Sequence, residues 1–236
     1  MPEPAGRELP SVPVAPAKTL ANGLDVLAAA VAAGAVGRTV SELARDTGLH
    51  RTVVHRLVVT LADRRLLRRL PGGRFAVGLG ALDLAAAVHT DLQGASAGPL
   101  MALAEDLGAT AHLSVLDGDH VVSVATHEPR TAHLHVAYRV GTRHRADVGA
   151  AGLAILLGRD ARPHERPDVT TGRRRGYAVT VGEIQPGAWG LAAPVPYRTS
   201  PVDASVGVVA LHPMDERRVA PAVLAAAAAV GAALAR

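Results

Sequence analysis

Residues 38–77 read RTVSELARDTGLHRTVVHRLVVTLADRRLLRRLPGGRFAV, two helical patterns followed by a basic hairpin. Thr39 followed three residues on by Glu42 is a capping box, in which each side chain pairs an amide that the helix start leaves open. Val40, Leu43 and Ala44 supply an apolar stripe at helical spacing, and Gly48 stands where a left-handed residue ends a helix. After a tight connection through Leu49, a second helix is expected from about His50 to about Arg64. Its Val54, Leu57, Val58 and Leu61 fall at i, i+3, i+4 and i+7, so one side is buried against the first helix. Residues 66–70 and 74–77 are short strand-like runs joined by Pro71-Gly72-Gly73, a turn-forming triplet. Together these elements make a winged helix-turn-helix.

The face left outside on the second helix carries Thr52, His55, Arg56 and Val59, with Arg51 at its edge. Arg is well matched to guanine, and Thr can hydrogen-bond or touch a thymine methyl. The second helix of such a pair enters the major groove with its N-terminal residues leading, here Arg51, Thr52, His55 and Arg56. Arg68, Arg69 and Arg74 surround the hairpin turn and are expected to face phosphates, and Thr39 at the start of the first helix joins the DNA-binding set. Residues 38–75 hold nine arginines against three acids, a balance of +6. The whole chain, with 25 basic and 21 acidic residues, carries only +4, so the remainder sums to −2. Basicity concentrated in one element is the electrostatic footprint of a nucleic-acid reader; a merely solvated charged face is the bland alternative.

The runs SELARDTGLHRTVVHRLVVTL and RLLRRLPGGRFAVG resemble the DNA-binding domain of the isocitrate lyase regulator (IclR) family of bacterial transcription factors. That resemblance extends, more weakly, to the C-terminus.

Around this element the chain of 236 residues has room for one large or two small domains. Apolar residues make up 49% and aromatics 2%, so packing is by small side chains. The absence of cysteine excludes disulfides and thiolate metal sites and fits a reducing cytoplasm. Neither a signal peptide nor a membrane span is expected, although the Ala-rich C-terminal run is long and apolar. Residues 1–17, rich in proline, read as a disordered tail, and 18–78 as the winged helix-turn-helix domain. Within it, 19–33 form a helix with Leu20, Leu24, Leu27, Ala28 and Val31 expected to pack behind the reading pair. The family resemblance implies that this helix also helps pair two subunits; Gly23 departs from the arginine common there. GLGALDLAAAV (78–88) superficially matches a dinucleotide fingerprint, but Asp83 holds the third glycine's place and no βαβ unit surrounds it. A linker helix, within a linker of 79–97, is the reading instead.

The effector-binding domain is expected over 98–236. Pro99 suits the first turn of a helix running to Leu107. TAHLSVL and HVVSVATHE flank Asp117-Gly118-Asp119, a hairpin signal. Further strands are read at 133–140, 177–181, 189–195 and 205–211, a buried helix at 149–158 and a closing helix at 215–236. Hairpin-linked strands with helices at both ends imply an α+β fold with an antiparallel sheet. That order is similar to the GAF-like antiparallel-sheet effector domain of the family. RVGTRHRADVGAAGLAILL and RRGYAVTVGEIQPGAWGLAAPV resemble the segments that border its ligand cavity. By position the resemblance implies Asp147, Val148, Gly149, Ala150, Glu183 and Trp189 as effector-binding candidates. Asp147 stands where the family usually has His, Gly149 where Ser or Thr is common, and Leu153 where Lys is frequent; the segment between Gly158 and Arg173 is short. Two carboxylates, Asp147 and Glu183, disfavour an acidic ligand unless Arg143 or Arg145 neutralises Asp147.

His133 and His135 share a strand face, and with His112, His127 or His144 could form a metal site. Ordinary hydrogen-bonded surface histidines are the competing reading, and no metal is assigned. Nucleophile elbows, H-E-x-x-H and Walker loops are absent, so neither enzyme nor cofactor is expected. The sequence therefore reads as a cytoplasmic transcriptional repressor, homodimeric or a dimer of dimers. It would bind a pseudo-palindromic double-stranded operator and answer to a small-molecule effector. A DNA-binding head fused to an enzyme or metal module, or a ligand-independent DNA binder, are the alternatives.

Overall fold

The computed structural model describes residues 15–88, 90–130, 138–196 and 203–235. Contacts divide the chain into two compact units, Met1–Val88 and His89–Arg236. Most of the proline-rich tail lies outside the described residues.

In the first unit α1 (Lys18–Ala32), α2 (Val40–Thr47) and α3 (Arg51–Asp63) pack together. They carry a three-stranded antiparallel sheet of β1 (Arg38–Thr39), β2 (Leu67–Leu70) and β3 (Arg74–Val77), in the order β1-β3-β2. The capping box forms: the Thr39 hydroxyl accepts the Glu42 N–H at 3.2 Å, and the Glu42 carboxylate accepts the Thr39 N–H at 2.8 Å. α2 ends on left-handed Gly48. α3 starts on a less common cap, His50, whose Nδ1 accepts the Thr52 N–H at 3.4 Å. Val54, Leu57, Val58 and Leu61 are buried with Leu43, Val26, Ala30 and Leu67 in one core. Each fully buried aliphatic side chain there contributes roughly 1.5–3 kcal/mol.

α1 forms where expected but turns a different face inward. Gly23, Val26 and Ala30 are buried, while Leu20, Leu24 and Val31 are exposed. Apolar residues run nearly all round this helix, so periodicity cannot select a face. Gly23 faces α3, where a Cβ would make ordinary contact with Leu57 at 3.7 Å, and Leu27 packs partly buried beside Val26 and Ala30. A short helix, α4 (Gly80–Ala86), follows the wing.

The second unit begins with α5 (Thr90–Leu107), which runs straight through Pro99; the proline does not open it as the sequence suggested. Leu92, Ser96, Leu100, Leu103 and Leu107 are all buried along it. Burying that stripe outweighs the one amide bond a proline removes. Six antiparallel strands follow: β4 (Thr110–Asp117), β5 (His120–His127), β6 (Arg143–Arg145), β7 (Ala178–Val181), β8 (Trp189–Pro194) and β9 (Ala204–Ala210), ordered β6-β5-β4-β9-β8-β7. The Asp117-Gly118-Asp119 hairpin joins β4 and β5 as read. The strand expected over 133–140 falls largely outside the described residues, 138–140 are not strand, and β6 pairs with β5.

Strand alternation sorts the sheet into two faces. Leu113 and Val115, Trp189 and Leu191, Val206 and Val208 meet α5 and α8 (Glu216–Leu234) in the main core. α8 is long and apolar enough to cross a membrane, but Val219, Val223 and Val230 bury its apolar face in that core. The other face receives α6 (Ala150–Leu157), nearly all of it buried, and α7 (Pro167–Arg175). α7 was not expected from the pattern of residues 158–173. Only Val169 and Gly172 are buried in it, too few for a periodic signal. Arg173 anchors it by donating to the carbonyls of Leu156 and Leu157 at the end of α6 and to Glu165. The Arg173 guanidinium holds the Glu165 carboxyl down at about 2.

Candidate nucleic-acid interface and small-molecule cavity

On the first unit Arg51, Thr52, His55, Arg56 and Val59 are exposed on α3, opposite the buried stripe. The first four, with His50, line one shallow concave surface. Arg68 and Arg69 are exposed on β2. Arg74 is placed differently. Its guanidinium donates to the carbonyls of Val36 and Gly37, both at 3.2 Å, and to the Glu42 carboxylate at 3.0 Å. Glu42 thus serves two elements at once: it closes the α2 capping box and latches the wing. The Thr39 amide, with Arg74 behind it, holds the Glu42 carboxyl below its usual range. Thr39 spends its hydroxyl on the same cap.

On the second unit a cavity of about 60 Å³ lies on the α6 side of the sheet. Gly149, Ala150, Glu183 and Trp189 border it, whereas Asp147 and Val148 do not. Trp189 shares its strand face with Leu191 in the main core, so the indole points away from the cavity. Asp147 is clasped by Arg145 in a two-pronged pair at 2.9 and 2.8 Å, which keeps its carboxyl below the ordinary range. Arg143 pairs with Asp117 instead.

His112 and His144, grouped by the sequence as candidates for a metal site, stand together in the cavity's polar wall with Tyr138. His112 on β4, 4% exposed, bonds Ser114 at 3.2 Å and stacks at a tilt on Tyr138, ring centres 4.8 Å apart. Its ring lies so close over β9 that a Cβ at Gly207 would sit 2.8 Å from it. Burial, and then His144, lower its pKa from 6.5 to about 3. His144 Nδ1 lies 3.0 Å from the Arg145 carbonyl and must donate there, so in the neutral ring Nε2 accepts the Tyr138 hydroxyl at 3.2 Å. Glu183 accepts the Gly149 N–H at 2.8 Å and two bonds from Arg166, at 2.8 and 3.1 Å. Arg166 foremost lowers the Glu183 carboxyl. Gly149 has φ 81° and a Cβ there would meet Ile184 at 2.8 Å, which accounts for glycine where the resembling family favours Ser or Thr. Among the described residues no cluster of metal-ligating side chains occurs, and His133 and His135 lie outside them.

A winged helix-turn-helix head joined to an antiparallel-sheet domain is an architecture found among transcriptional regulators. Residues 19–71 match the IclR helix-turn-helix domain and 84–166 the bacterial transcriptional regulator IclR C-terminal domain. The chain belongs to the IclR family of transcriptional regulators, with a helix-turn-helix DNA-binding domain and a C-terminal effector domain. Its fold is shared by an IclR transcriptional regulator of Alicyclobacillus acidocaldarius, at 23% identity and TM-score 0.76, over 93% of this chain and all of that one. It is shared too by the Thermotoga maritima IclR, at 19% and 0.72, over 93% and 99%. An IclR homolog from Microbacterium hydrocarbonoxydans complexed with 4-hydroxybenzoate gives 20% and 0.76, over 92% and 99%. No curated relative matches.

Proposed function

We propose that the chain is a cytoplasmic, homodimeric, non-enzymatic regulator that binds a pseudo-palindromic operator and is modulated by a small molecule in the second unit's cavity. The carrying observation is the outward face of α3, where Arg51, Thr52, His55 and Arg56 stand exposed on a helix whose opposite stripe is fully buried. Those groups read base edges, while Arg68 and Arg69 on the wing hold phosphates. Leu20, Leu24 and Val31, at 64%, 54% and 57% exposure, form a free apolar stripe on α1 that suits a second copy. The Microbacterium relative of the same fold is complexed with 4-hydroxybenzoate, which supports a small-molecule effector for this chain. To move the DNA-binding equilibrium, the ligand must prefer one conformation of the protein over another.

The wing arginines provide the test, measured by fluorescence anisotropy on operator and scrambled duplexes. Arg68→Ala is expected to weaken all sequences alike and to flatten the salt slope by about one unit per lost phosphate contact. Arg74→Ala is expected to act through the fold. It leaves Glu42 with the Thr39 amide alone and unlatches the wing, so a lower melting temperature of the first unit is expected. Wild-type binding with no salt dependence and no preference for operator over scrambled DNA would sink the proposal.

A further inference from the structure

We infer that His50 is a specificity-determining residue of the operator reader that acts through its neighbour Thr52. It takes the Thr52 hydroxyl proton, so that Thr52 can only accept a hydrogen bond, and Thr52 thereby selects a base that donates into the major groove, adenine or cytosine. This rests on the reading of the outward face of α3 as the base reader and adds which bases one of its residues takes.

The state of the hydroxyl follows from the His50 ring. A backbone N–H can only donate, so the bond from the Thr52 N–H to His50 Nδ1 at 3.4 Å leaves that nitrogen without a proton. The ring proton of the neutral imidazole is then on Nε2. Thr52 Oγ1 lies 2.6 Å from the same Nδ1. With no proton on the ring nitrogen, the hydroxyl must supply the one between them. Among the described residues Thr52 Oγ1 has no other partner. A threonine inside a helix can spend its proton on the carbonyl four residues back, as Thr47 does on Leu43 at 2.7 Å and Thr60 on Arg56 at 3.0 Å. Thr52 is the second residue of α3, and four residues before it stands Gly48, the left-handed end of α2. No helical carbonyl lies behind it, so without His50 its hydroxyl would turn freely and both donate and accept.

His50 and Thr52 are exposed and line one concave surface with Arg51, His55 and Arg56. In the major groove guanine presents two acceptors and thymine an acceptor and a methyl, whereas adenine presents its N6 amine and cytosine its N4 amine as donors. A hydroxyl whose proton is already taken pairs only with those amines; facing guanine it sets lone pair against lone pair. His50 thus turns a side chain of either polarity into an acceptor.

The test uses the full chain and an operator selected from random-sequence duplexes. Thr52→Val, which keeps the shape and removes the hydroxyl, is expected to lose discrimination at one base pair in each half-site. At that pair the wild type prefers adenine or cytosine by about fivefold, the worth of one hydrogen bond. Replacing the preferred base by 2-aminopurine or 2-pyrimidinone, which lack the donor amine in the major groove, weakens the wild type by about as much and leaves Thr52→Val unchanged. His50→Ala releases the hydroxyl proton and brings guanine and thymine to within about twofold of the preferred base at that pair alone. His50→Asn, a good cap that offers an acceptor again, restores the preference. The inference is overturned by a wild-type preference for guanine or thymine at the Thr52 pair, by a Thr52→Val protein that loses discrimination nowhere, by a His50→Ala protein that weakens every sequence evenly with that preference intact, or by a His50→Asn protein as permissive as His50→Ala. The ring itself is read without DNA in a long-range proton–nitrogen correlation spectrum of the labelled wild type at about pH 8, where ordinary imidazoles are neutral, with the His50 signals assigned by their loss in His50→Asn. The Nε2–H tautomer is expected, and the Nδ1–H tautomer overturns the inference whatever the variants do. Wild-type binding no tighter to operator than to scrambled duplex would instead fail the reading of α3 as the base reader, a result the spectrum does not share.

Discussion

Raising monovalent salt from about 50 to about 200 mM is expected to weaken operator binding by roughly 10⁴-fold, a log–log slope near −7 for a dimer making about eight phosphate contacts. The estimate follows from where the charge lies. Residues 38–75 carry a balance of +6 while the rest of the chain is net negative. Within that stretch Arg45, Arg51, Arg56, Arg64, Arg68 and Arg69 are exposed and outside every ion pair among the described residues, and four of them, Arg51, Arg56, Arg68 and Arg69, stand on the outward face of α3 and on the wing. Arg38, Arg65 and Arg74 are held by Asp46, Asp83 and Glu42. About four cations on the reading face and wing of each of two heads displace about eight condensed counterions. Equilibrium titration at four salt concentrations checks this; a slope shallower than about −3 would mean that the wing does not engage the backbone.

Lowering the pH from 7 to 5 is expected to cost the second unit about 2 kcal/mol through His112 alone. The folded protein holds this imidazole neutral down to about 3, whereas an unfolded one protonates near 6.5. Between those values the unfolded chain binds the extra proton, so stability is complete above 6.5 and is lost as pH falls, at about 1.4 kcal/mol per unit. The lowered carboxyls of Glu183, Asp147 and Glu165 add to the loss only below their ordinary values near 4, so the range from 5 to 6.5 isolates the histidine. The chain's single tryptophan, Trp189, is buried in the second unit's core and reports that unit alone. Urea unfolding followed by its fluorescence should therefore show the slope in wild type and lose it in His112→Gln. An equal slope in both proteins would place the titrating group elsewhere.

Much of the head was legible because its signals are local. The Thr39–Glu42 box, Gly48, and the 54/57/58/61 stripe each span under a dozen residues and each formed. What escaped depends on contacts between distant segments. β1 is two residues long and exists only by pairing with β3, so no alternation announces it. The buried face of α1, Gly23, Val26 and Ala30, could not be told from the other apolar faces of a helix that is apolar nearly all round. Continuity of α5 through Pro99 was decided by a buried stripe, against propensity. In the second unit β4, β5, β7, β8, β9 and the α6 segment were visible as apolar blocks, whereas β6, Arg143–Arg145, has no such signal and forms by pairing with β5. The cavity's charge was not: Arg166 reaches Glu183 across 17 residues, from the N-cap of a helix with no periodic signal. Resemblance by position carried Asp147 toward the cavity, and the pull of Arg145 two residues before it turned the carboxylate aside.

The most direct measurement is a single-base-pair scan of the operator with wild type and Arg56→Ala, each titrated at fixed salt. If α3 reads the major groove, the variant loses discrimination at one base pair in each half-site, by about 1–3 kcal/mol per contact, and keeps its ranking of bases everywhere else. An even loss of affinity over every sequence, with discrimination intact at all positions, would contradict base reading by this face of α3.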